Sequence, residues 1–254
     1  MKQKLIQACA LAGLICTSSP ALAADPFFFV PGRLTQNWLV SAEGSTGTRD
    51  AGVYGRHGTA AAARAALTHE GWTLEAAAGV VDNTINDQTE QTYSAEGRYS
   101  WDNGLAAGAG YRYDYDGVSV PYLHFLWNSD AFARPLAFSA QVEFPQSSGL
   151  SRRDSTDLLL AAAAGLPCFA SLNCALEVAA EDIEGFFSEE EAEGGAKFIL
   201  GPTLAWRWQR DREVKLFAGW IHALTANEPT REGFPDYRGH RDGVMLRLAF
   251  GFGE

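Results

Sequence analysis

The sequence predicts an all-β fold, a transmembrane antiparallel up-and-down β-barrel of about 12 strands, with 10 strands as the alternative. Three observations predict it. Large apolar residues recur at every second position over most of the chain beyond residue 24. The connections between these alternating segments are short at one end and mostly long and polar at the other. Aromatic residues collect near the segment ends, where a membrane meets water.

Whole-chain totals hide this pattern. The 254 residues are 46% hydrophobic and 20% charged, with a net charge of -11. Mean hydropathy is -0.13, a value typical of a soluble protein. Seven Trp, eight Tyr and 15 Phe are too many aromatics for a disordered chain. Beyond residue 24 no stretch approaches the ~20 apolar residues of a spanning helix. The acidic balance excludes nucleic acid as a partner, because phosphate binding needs clustered Lys and Arg.

Residues 1–23 read as a secretory signal peptide. Lys2 and Lys4 precede an apolar run over 5–16, and Ala21-Leu22-Ala23 supplies a small-x-small cleavage pattern. Neither Cys9 nor Cys16 fits a lipoprotein signal, since Cys16 follows Ile15 and Cys9 lies too early. Cleavage would remove Lys2 and Lys4 and take the charge from -11 to -13. Residues 24–254 are then the barrel, compact and without a plug domain. Of the cysteines only Cys168 and Cys174 remain, and in an exported chain a close pair points to a disulfide. A metal site would need two further ligands, and no His lies near the pair, so no metal and no cofactor are expected.

The strands follow in order. Weak alternation places the first two at 33–43 and 56–67. The second is alanine-rich and helical on propensity alone, but its neighbours are strands and Arg64 suits an inward face. Trp72, Leu74, Ala76, Ala78 and Val80 define the third strand. Tyr93, Ala95, Gly97, Tyr99 and Trp101 define the fourth, and Leu105, Ala107, Ala109, Tyr111 and Tyr113 the fifth. A weaker sixth covers 118–128, and Leu136, Phe138, Ala140, Val142 and Phe144 mark the seventh. The eighth and ninth fall at 156–166 and 174–182. Phe198, Leu200, Pro202, Leu204, Trp206 and Trp208 form the tenth, and Val214, Leu216, Ala218 and Trp220 the eleventh. The last, Val244, Leu246, Leu248, Phe250 and Phe252, would be scattered around a helix but share one face of a strand.

The connections 68–71, 102–104, 129–135, 167–173 and 210–213 are short. Those at 44–55, 82–91, 145–155, 183–195 and 225–242 are longer, and 114–117 is a short exception. A soluble sandwich has no reason to sort its loops this way. Trp72, Trp101, Trp206 and Trp208 lie beside short turns, while Tyr93, Tyr111, Tyr113, Tyr122 and Phe144 lie near the other end. Two interfacial girdles would produce this.

On these features the chain resembles the bacterial outer-membrane β-barrel proteins, and among them the small twelve-stranded porin-like channels. The alternating last strand ending in aromatic Phe252 carries the resemblance furthest, although Gly253 and Glu254 follow it. The resemblance implies an outer-membrane location and delivery to the barrel-assembly machinery through that strand. It also implies surroundings of outer-membrane lipid and lipopolysaccharide.

If the large apolar set faces lipid, the other set lines the lumen. It carries seven bases, Arg64, Arg98, Arg112, Lys197, Arg207, Lys215 and Arg247. It carries seven acids, Glu75, Glu96, Asp114, Glu143, Asp157, Glu177 and Glu181. The balance argues against strong anion selectivity. Such charges either set a field across a narrow water-filled pore or pair and fill the lumen. Loop 183–195 is acidic, with Glu184, Glu189, Glu190, Glu191 and Glu193 and no base. It could be a solvated loop, a cation-attracting mouth, or a set of carboxylates bridged by divalent ions to lipopolysaccharide. Loop 225–242 could fold into the lumen or stay at the surface.

No enzyme is expected. The chain lacks G-x-S-x-G, H-E-x-x-H, a P-loop and a dinucleotide fingerprint, and Gly108-Ala109-Gly110 reads as small lumenal residues in a strand. His124 and His222 have no serine two places away on their own strands. His240 and Asp242, with Asp82 across the barrel, form no specific pattern. The function expected is passive diffusion of small polar or ionic solutes through a charge-lined lumen. A closed structural or adhesive barrel acting through acidic loops is the alternative, and a barrel hydrolase the remaining one.

Overall fold

The computed structural model describes residues 27–30, 38–47, 57–83, 88–113, 119–130, 134–146, 156–169, 172–181, 183, 197–209, 211–223 and 241–253. The signal-peptide reading therefore lies outside the described residues. So do Asp114, most of the acidic 183–195 loop and the 225–240 part of the longest connection.

The strands are β1 (Trp38–Gly47), β2 (His57–His69), β3 (Trp72–Asn83), β4 (Gln88–Ser100), β5 (Leu105–Tyr113) and β6 (Ser119–Ser129). They continue as β7 (Leu136–Glu143), β8 (Asp157–Leu166), β9 (Leu172–Glu181), β10 (Lys197–Gln209), β11 (Arg212–Ala223) and β12 (Arg241–Gly253). Each pairs antiparallel with its sequence neighbours, and β1 closes on β12 through Leu39↔Gly253 to Gly47↔Met245. The architecture is thus the closed twelve-stranded antiparallel barrel that the alternation predicts. Closure leaves no sheet edge unpaired, which a strand in hydrocarbon requires.

The alternation sorts as expected. Leu74, Val80, Leu123, Phe125, Phe138, Leu176, Val178, Leu200, Leu204, Leu246, Leu248 and Phe250 are exposed on the outer face. Their strand neighbours Thr73, Arg98, His124, Glu143, Glu177, Thr203 and Arg247 are buried on the inner face. An exterior of this composition would be unstable in water and suits lipid. The alanine-rich β2 is a strand, because pairing with both β1 and β3 overrides its helical propensity.

Several boundaries move. β1 lies at Trp38–Gly47, not 33–43, since it must align with β2 and β12. β4 starts at Gln88, so its connection to β3 is short. β9 begins at Leu172, placing Cys174 inside a strand. β11 begins at Arg212, so Glu213, expected in a turn, is a strand residue. A two-residue hairpin joins β2 to β3, and Glu70 and Gly71 both have positive φ (47° and 84°), as a type I′ turn demands. At that end Trp72 packs edge-on against Tyr99, and Tyr99 against Trp101, with centroids 5.1 and 5.2 Å apart.

One feature was not foreseen in the sequence. Phe27–Val30 lies inside it, on the lumenal face of β9–β12, and Phe27 and Val30 are buried.

Candidate functional site

The lumenal wall divides into two unlike halves. From β2 to β7 it is charged and hydrogen-bonded. Arg64 on β2 meets Glu75 on β3 at 3.2 Å. Arg112 on β5 reaches across β6 to Glu143 on β7, with bidentate contacts of 2.5 and 2.8 Å. Between them lies the small, fully buried Val120, which opposes Arg112 in register. Gln141 adds a donor to Glu143 at 2.6 Å. Glu143 is almost wholly buried, and the planar guanidinium supplies the paired donors that a buried carboxylate needs.

Glu96 on β4 is the centre of a second network. Arg98, two places along the same face, donates to it at 3.0 Å, and Tyr122 on β6 donates at 3.3 Å. His124 Nδ1 lies 3.1 and 3.2 Å from its two oxygens, and His124 Nε2 lies 2.9 Å from Ser139 Oγ on β7. A carboxylate can only accept, so Nδ1 carries a proton, and in the neutral imidazole Nε2 accepts from the Ser139 hydroxyl. β5 separates β4 from β6, and the contact is possible because Gly108 and Gly110 fill the crossing. Gly110 stands between Glu96 and Tyr122 in register, and Gly108 between Arg98 and His124. A Cβ on Gly110 would fall 2.2 Å from the Tyr122 ring, and one on Gly108 only 2.6 Å from the Gly97 carbonyl oxygen.

Acid, imidazole and hydroxyl thus stand in the order of a serine-hydrolase relay. Sequence reasoning looked for the serine on the histidine's own strand and so missed one on the adjacent strand. The row is deeply packed. His124 and Ser139 are 5% and 6% exposed, so an acyl group has little access. The backbones of β6 and β7 around both residues are paired in the strand ladder.

From β8 to β12 the wall is mostly small and apolar, with buried Ala161, Ala163, Ala175, Ala179, Ile199, Ile221 and Met245. Small side chains leave room, and Phe27–Val30 takes it. The Phe28 and Phe29 N–H groups each donate to one oxygen of Glu177, both at 2.8 Å. Thr203 on β10 donates its hydroxyl to the same carboxylate. Lys215 on β11 donates to the Phe27 carbonyl at 2.9 Å. Arg247 on β12 lies 4.9 and 4.7 Å from the Phe28 and Phe29 ring centres, and Phe217 packs edge-on against both rings. Glu177 is 0% exposed, so its charge relies on these donors in place of water.

Of the 14 residues expected to line the lumen, Arg64, Glu75, Glu96, Arg98, Arg112, Glu143, Glu177, Lys215 and Arg247 enter the contacts of these two walls. Arg207 faces Glu213 at 3.8 Å near the short-turn end, and Glu213 also meets Lys215 at 3.9 Å. Asp157 opens β8 opposite Glu143, and Glu181 closes β9 opposite Lys197. Asp114 and the acidic loop residues lie outside the described residues. Tyr122, read as a girdle residue, is instead buried and faces inward, and His124, Ser139, Thr203 and Glu213 were not anticipated at the site. Their inward parity could have found all but Glu213, which was assigned to a turn. His222, read as a lone histidine, meets Asp242 at 2.8 Å at the long-loop end. Among the described residues no three His, Cys, Asp or Glu side chains converge as a metal-ligand set. Cys168 and Cys174 have Cα atoms 5.8 Å apart, within disulfide reach.

No known family model matches the chain, and no curated protein matches its sequence. Solved structures share its fold. An outer-membrane channel from Pseudomonas putida F1 is 9% identical with a TM-score of 0.56, covering 91% of this chain and 100% of that one. The NanC porin is 12% identical with a TM-score of 0.53, covering 85% of this chain and 100% of its own. The KdgM porin is 9% identical with a TM-score of 0.53, covering 85% and 99%. The barrel therefore has the fold of small outer-membrane porins and channels.

Proposed function

We propose that this chain is an outer-membrane channel for passive diffusion of small polar or ionic solutes. The observation that carries the reading is the inner wall from β2 to β7. It bears charged and hydrogen-bonding groups at successive heights, inside a barrel whose outer face suits lipid. Charges opposed across a narrow lumen give polar solutes successive weak sites, and weak sites permit release as well as binding. The resemblance in fold to three channels supports the same reading. Near-equal numbers of lumenal acids and bases favour weak ion selectivity.

The surroundings follow from the same reading. Residues 1–23 direct export, and β12 presents the chain to the barrel-assembly machinery. Glu184, Glu189, Glu190, Glu191 and Glu193 meet lipopolysaccharide through bridging divalent ions. Cys168 and Cys174 form a disulfide at the short-turn end.

Single-channel recording and liposome swelling with the purified barrel test the function. Discrete conductance steps and swelling in small neutral sugars are expected. Their absence from the folded barrel, and also from a folded variant lacking residues 27–30, would favour the closed structural barrel. The tight packing on both walls of the lumen is the observation on that side.

A further inference from the structure

The recess between β9 and β12 has the chemistry of a peptide-binding site. Glu177 accepts from two successive backbone N–H groups at 2.8 Å, Lys215 donates to a backbone carbonyl at 2.9 Å, and Arg247 and Phe217 take two aromatic rings. Most of these polar contacts go to main chain, so the recess reads an extended backbone. The rings add a preference for aromatic side chains. The buried alanines of β8 and β9 leave the space that Phe27–Val30 fills.

We propose that this recess is a peptide-binding site whose resident ligand is the chain's own Phe27–Val30 segment, which acts as a tethered blocker of the lumen. Seven residues, 31–37, connect it to β1. A short tether of this kind holds its ligand at an effective concentration on the order of millimolar, so modest affinity keeps the site filled. Displacing the segment frees the space it fills on the β9–β12 side of the lumen. The inference rests on the channel reading, because blocking has meaning only where something passes.

The test compares the purified full barrel with three variants in planar bilayers: deletion of 27–30, Phe28→Ala with Phe29→Ala, and Glu177→Gln. Heat-modifiable electrophoretic mobility checks that each is folded. The side-chain variants keep the test open should the deletion not fold. A several-fold rise in conductance or open probability is expected in each. The peptide Pro-Phe-Phe-Phe-Val, added at about 1 mM on the short-turn side, should then block the deletion variant. It should fail to block a deletion variant that also carries Glu177→Gln. Equal conductance in the parent and all variants would overturn the blocker and leave the channel standing. Conductance that rises without any peptide block would overturn the binding site. No conductance in any folded variant would overturn the channel reading itself, and the blocker with it.

Discussion

Arg112 and Glu143 show what a charge does inside this barrel. Glu143 is almost wholly buried and is satisfied by two guanidinium contacts and one amide. Removing one partner of a buried pair leaves the other uncompensated, at a cost of about 3 kcal/mol. Arg112→Ala should therefore unfold at lower urea, as read by tryptophan fluorescence in detergent. Glu143→Gln with Arg112→Met, which removes both charges, should recover most of the loss. Ser139 poses a different question at the same scale. Its hydroxyl lies 2.9 Å from His124 Nε2, yet both side chains are packed against access. A fluorophosphonate probe should leave the folded barrel unlabelled. Labelling that disappears in Ser139→Ala would make the Glu96–His124–Ser139 row a hydrolase centre.

At the scale of the strand, two faces answer to two solvents. Leu246 on β12 faces out, and its neighbour Arg247 faces in. Leu246→Arg should cost about 2–4 kcal/mol if it lies near the bilayer midplane, measured by reversible unfolding in lipid vesicles. β5 illustrates a constraint between strands. Gly110 leaves space for the Tyr122 ring on its way to Glu96. Gly110→Ala should destabilise the barrel by about 1–3 kcal/mol through overpacking. Adding Tyr122→Val should restore part of that, since the clash is with the ring. Alternation identified the inward face of β5 in the sequence, but not which side chain from β6 would cross it. Period two assigns a face and says nothing about reach.

For the whole molecule, closure is what makes the lumen a separate compartment. β1 meets β12 through nine register pairs, and the chain enters and leaves the barrel wall at the short-turn end. The Cys168–Cys174 pair lies at that end too. The exported, unreduced protein should show no free thiol, and reduction should cost about 2 kcal/mol for so short a loop. A thiol titre of two without reductant would contradict the disulfide.

Strand number, the lipid-facing set and most of the inward charges were legible in the sequence. Each depends only on parity along a strand, and parity is a local property. Boundaries were less legible. The true position of β1 depends on register with β12, which lies about two hundred residues away along the chain. The partners of each charge were not legible either. Arg112 and Glu143 meet across an intervening strand, and His124 finds its serine on a neighbouring one. The Phe27–Val30 segment was hidden most completely. Its three consecutive phenylalanines carry no strand period, and the recess that holds them is built from β9, β10, β11 and β12. Alternation along the chain is enough to specify a membrane barrel, because lipid on one side and a polar interior on the other impose it. What fills the interior could be read only from the closed barrel, because it depends on side chains brought together when the sheet closes.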